Sequence, residues 1–121
     1  MKTDHCTLNE FEIAILTRMA NQLPTLLPVI SKLQVSNREL TGVGSFTNFV
    51  RNHATVPDAS AGPLALDLHI LMPGVEHGLG AVVFFDANSI AVLEIFAYGD
   101  DAWTGNWDGY AFAVNLASTV S

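Results

Sequence analysis

Residues 78–99, GLGAVVFFDANSIAVLEIFAYG, constrain this chain more than any other stretch. Two runs of aliphatic, β-branched and aromatic residues, 79–85 and 90–97, flank Asp86-Ala87-Asn88-Ser89. Strand formers on both sides of residues that tolerate a tight turn predict a β-hairpin. Large apolar side chains occupy both parities of each run, so neither alternates cleanly. The hairpin is therefore expected at the centre of a sheet that is covered on at least one face. Its single charge is Glu94. A carboxylate buried without a partner is costly, so Glu94 is expected either on a wet face or against Arg38, Arg51, His69, His77 or a backbone amide.

With 121 residues, half of them hydrophobic and 14% charged, the chain is expected to form one domain over residues 1–121 with a real core. No apolar run approaches the roughly 20 residues of a membrane span. The polar start, Met1-Lys2-Thr3-Asp4-His5-Cys6, has no apolar signal stretch, and the lone Cys6 has no disulfide partner within the chain. Together these point to a cytoplasmic protein without membrane association. The five basic residues all precede position 52, so residues 52–121 carry eight acids and no fixed positive charge. A net charge of −7 opposes nucleic-acid binding. It suits either a basic protein partner or simple solubility.

Ahead of the hairpin, Thr7-Leu8-Asn9-Glu10 fits a capping box, with Cys6 and Phe11 at the positions of a hydrophobic staple. Leu8, Phe11, Ile15, Met19 and Leu23 then recur at helical spacing. A helix over 8–22 is expected to end before Pro24, and a second over 25–33 to accept Pro28 in its first turn. Strands are expected over 38–43 and on to about 50, separated by a turn or bulge at Gly42 and Gly44. Residues 52–63 read as a loop, and 64–72 alternate as one half-buried strand. Acids, glycines and aromatics interleave over 100–110 as a structured loop, and 110–114 form a short closing strand. The order predicts an α+β fold, with two N-terminal helices on one face of a mainly antiparallel sheet of four to six strands.

The stretches RELTGVGSFTNF and HGLGAVVFFDANSIAVLEIFAYGDDAW carry the patterns R-x-x-T-G-x-G and L-E-x-x-x-Y-x-x-x-W. In these the chain resembles a group of small uncharacterised bacterial proteins. The resemblance implies a bacterial origin and a compact α+β fold, and it carries no activity and no catalytic residue.

Chemistry-bearing residues are few. Gly42-Val43-Gly44 lacks the third glycine and the lysine of a phosphate loop, and no H-E-x-x-H, paired cysteines, EF-hand order or G-x-S-x-G occurs. No cofactor, no metal site and no catalytic residue is therefore assigned. Asp67 and His69 share the polar face of their strand, and Glu94 shares its face with Ile90, Val92 and Phe96 by period two. If these strands are neighbours, Asp67, His69 and Glu94 converge on one surface, where a carboxylate orients an imidazole. Trp103, Trp107 and Tyr110 either close the end of the core or form an interface anchor. Two functions follow. One is a non-enzymatic binding or regulatory protein, immunity-like or inhibitor-like, that uses its acidic C-terminal half. The other is a small-molecule-binding protein or enzyme built on Asp67, His69 and Glu94. Homo-oligomerisation is open under both.

Overall fold

The computed structural model describes residues 7–50, 55–56, 62–103 and 105–114. Cys6, Lys2, Arg51 and most of the 52–63 loop lie outside the described residues.

Helix α1 spans Glu10–Met19. Its N-cap is Asn9, not Thr7. The Asn9 side chain accepts from the Glu12 amide at 2.8 Å, and Glu12 Oε1 accepts from the Asn9 amide at 3.0 Å. The capping box has thus moved two residues along, to a better capping residue. Phe11, Ile15, Leu16 and Met19 form the buried stripe. A 3₁₀ turn at Pro24–Leu26 runs into the one-turn helix α2, Leu27–Ile30, shorter than the expected helix over 25–33.

Seven strands follow: β1 Val35–Leu40, β2 Gly44–Phe49, β3 Leu64–Ala65, β4 Leu68–Met72, β5 Val75–Asp86, β6 Ser89–Ala97 and β7 Ala111–Val114. They form one antiparallel sheet in the order β1-β2-β6-β5-β4-β7, with β3 also paired to β5. The α+β class stands, but the sheet exceeds the expected four to six strands because 64–72 is two strands. Leu64 faces Val83 whereas Ile70 faces Leu79, so six steps along one chain meet four along the other. The two extra residues are taken up in the break at Leu66 and Asp67. There the Leu66 amide donates to the Ala81 carbonyl, and the Asp67 amide donates to Gln22 Oε1 just past α1.

The hairpin β5–β6 lies at the sheet's centre, with β6 flanked by β2 and β5 by β3 and β4. Phe84 faces Val92 but Phe85 faces Ile90, so Ala91 is the extra residue of a bulge. The bulge turns Ile90 into the core, where it is 1% exposed, and off the face of Glu94 on which period-two counting put it. At the tip, Ala87 has φ 56°, the one non-glycine in the left-handed region among the described residues. Ala87→Gly should therefore stabilise the domain by about 0.5–1 kcal/mol, since released strain exceeds the added unfolded-state entropy. Urea denaturation checks this, with an unchanged or lower midpoint as the contrary result.

Two glycines explain the β1–β2 connection. Gly42 turns the chain at φ 91°, and a Cβ on Gly44 would lie 2.2 Å from the Ile95 carbonyl of β6. Cross-strand pairing places Ser45, Thr47, Phe49, Leu79, Ala81, Val83, Leu93, Ile95 and Ile70 on the inner face, against α1 and the turn after it.

Candidate functional site

The helices cover one side of the sheet, and no described element packs on the other. Registers lay this outer face out in rows. Glu39 of β1 faces Phe46 of β2, Phe46 faces Glu94 of β6, and Glu94 faces Val82 of β5. The next row runs Asn48, Val92, Phe84, and the one on the other side runs Gly44, Phe96, Gly80. Phe46, Val82, Phe84, Val92 and Phe96 are half-buried or exposed, and none joins the core cluster. Tyr98 and His69 continue the surface as stacked rings, 5.5 Å apart and 10° from parallel. Gly78 and Gly80 make room for them: a Cβ on Gly78 would meet the His69 imidazole, and one on Gly80 would meet Phe96 and Tyr98.

Glu94 is half-buried at the centre of this face. Each partner anticipated for it is either committed elsewhere or outside the described residues. Arg38 binds Glu12, His77 binds Asp101 and His69 stacks on Tyr98, whereas Arg51 is not described. No hydrogen bond or ion pair reaches the Glu94 carboxylate among the described residues, and its partial exposure leaves it to water. His69 lies on β4, two strands away, or roughly 10 Å at ordinary strand spacing. Asp67 is exposed at the break before β4, its amide tied to Gln22. The structure draws no hydrogen bond or ion pair among Asp67, His69 and Glu94.

Trp103, Trp107 and Tyr110 gather around Phe11 of α1, with ring centroids 6.1, 5.8 and 4.9 Å from it. Trp103 is buried, its indole N–H donates to the Asn106 carbonyl, and its amide donates to the Gly42 carbonyl. These aromatics close the end of the core, the plainer of the two readings.

The most demanding electrostatic feature was invisible along the chain. Glu12 has no exposure, yet its carboxylate is fully engaged. Arg38 donates to it twice, Nε to Oε2 at 2.8 Å and Nη2 to Oε1 at 2.6 Å, and the Thr47 hydroxyl donates to Oε2 at 2.6 Å. Arg38 is itself steadied by the Trp107 ring, 5.9 Å from its guanidinium carbon. Sequence spacing set Glu12 apart from the apolar stripe, and only the fold brings β1 and β2 to it.

Glu76, His77 and Asp101 have ligand-capable atoms all within 4.8 Å of one another. Asp101 is already occupied, however. Its Oδ2 accepts from the His77 amide at 2.7 Å and lies 3.0 Å from His77 Nδ1, clasping the loop after β6 onto β5. The backbone donor at His77 holds the Asp101 carboxyl below the ordinary carboxylate range. With the folded value depressed, this clasp is fully formed above the unfolded value of about 3.9 and is lost as pH falls through the lower folded value. The His77 amide resonance, followed by NMR, should therefore titrate with a midpoint below that of a free aspartate. A midpoint at or above it would mean the clasp does not hold in solution.

No known protein family, curated protein or solved structure matches this chain.

Proposed function

We propose that this chain is a non-enzymatic binding protein whose outer sheet face, built by β2, β6, β5 and β4, receives a protein partner. The observation that carries this reading is the apolar content of that face. Phe46, Val82, Phe84, Val92, Phe96 and Tyr98 adjoin one another in register, outside the core and beneath no described element. Scattered surface apolars are ordinary, but a contiguous patch of aromatic and branched side chains is what an interaction surface requires. Flat sheet faces suit protein partners better than small ligands, which favour concave sites.

The test is affinity capture from the source cells, followed by purification of the captured protein and titration of the pair by calorimetry. Phe84→Ser on the outer face should weaken that binding more than tenfold, whereas Ile13→Ser, at an exposed position on α1, should leave it unchanged. Equal effects of both substitutions, or loss only with the helix variant, would overturn the assignment of the face.

A further inference from the structure

We infer that the partner received on this face is cationic there, presenting lysine or arginine among aliphatic or aromatic side chains and placing its charge on Glu94 and Glu39. The inference rests on the docking reading above and adds the partner's chemistry. The row Glu39, Phe46, Glu94, Val82 sets two carboxylates on either side of a phenylalanine. On its own strand Glu94 lies between Val92 and Phe96. A partner that covers these apolar side chains takes water away from Glu94. A carboxylate dehydrated without a donor is penalised, whereas a lysine or arginine supplies a charge-assisted bond in the same place. The central glutamate therefore rejects purely apolar partners and selects cationic ones.

The distribution of charge over the fold points the same way. Every described lysine or arginine stands away from the outer face. Arg18 is on α1 over the Phe112 ring, Lys32 follows α2, and Arg38 points to Glu12 on the inner side. Around the outer face the described charges include Glu39 and Glu94 on it, and Glu76 and Asp100 at the end of the hairpin away from its tip. A field of one sign draws in and orients a basic surface. A second copy docking through the same face is the poorer occupant, because among the described residues that face brings the same carboxylates and no lysine or arginine to meet them.

The experiment uses the full chain labelled with nitrogen-15 and three short synthetic peptides: alternating lysine and valine, alternating glutamate and valine, and alternating lysine and serine. The lysine–valine peptide is expected to shift amide resonances on β2, β5 and β6 around Phe46, Val82 and Glu94. Its affinity should fall as salt is raised, and drop about tenfold in Glu94→Gln. Equal binding of the glutamate–valine peptide would overturn the cationic inference while leaving the face as a docking surface. Equal binding of lysine–serine would show charge attraction without the apolar face, against both readings. Shifts confined to the helical side, or none with any peptide, would also remove both. Shifts at these same residues that depend on protein concentration alone would assign the face to a second copy and overturn the inference.

Discussion

Replacing Arg38 with alanine should cost the domain about 3–5 kcal/mol, the range for breaking a buried ion pair from one side. The size follows from what is left behind. Glu12 has no exposure, and without the guanidinium its carboxylate keeps only the Thr47 hydroxyl and the Asn9 amide. The opposite change is milder. Arg38 is 19% exposed, so in Glu12→Gln its guanidinium can turn to water, and the new amide can still cap Asn9. Glu12→Gln should therefore lose clearly less than Arg38→Ala. Arg38→Lys should fall between them, because an ammonium cannot reproduce the two-pronged contact. Urea denaturation of the three variants orders them. Losses that are equal and below 1 kcal/mol would mean the pair contributes no more than a surface bridge.

Truncating Leu93 to alanine should cost about 2–5 kcal/mol, through lost burial and the cavity it leaves. Leu93 has no exposure and sits between Thr47 of β2 and Val83 of β5, so β-sheet backbone on both sides prevents the site from collapsing. Phe84 is the internal contrast. It belongs to the same hairpin but points outward at 36% exposure, and Phe84→Ala should cost about 1 kcal/mol or less. The two variants compared by denaturation separate the core face of the hairpin from the face assigned to binding. Similar losses at both sites would mean that the outer face is covered.

The hairpin was legible because its evidence is local. Two strand-forming runs around Asp86-Ala87-Asn88-Ser89 leave little else for residues 79–97 to do, and they form β5 and β6. The short terminal strand was legible for the same reason, whereas composition marked Trp103, Trp107 and Tyr110 but left core closure and interface anchor open. What escaped depends on the third dimension. A bulge at Ala91 reverses the parity of Ile90, and no residue type announces it. The break at Leu66 and Asp67 is imposed by pairing with β5 and by Gln22, across more than forty residues. Glu12 carries no local mark of burial, and its partners Arg38 and Thr47 lie on strands that no helical period can foresee. For the site, alternation placed Glu94 on a face with Val92 and Phe96, and so it stands. Glu39 carries no signal of its own along the chain, because its neighbourhood with Phe46 exists only through the β1–β2 register.

The aromatic closure has an optical consequence. Both tryptophans of the chain, Trp103 and Trp107, lie edge to face with ring centroids 5.3 Å apart, and both rest on Phe11. Intrinsic fluorescence therefore reports one joint, where the first helix meets a loop some ninety residues later in the chain. Ordering so long an intervening segment before the rings can meet delays that joint in folding. Tryptophan emission should accordingly move to the blue after the hairpin has formed, and shift back to the red first when the helix lets go.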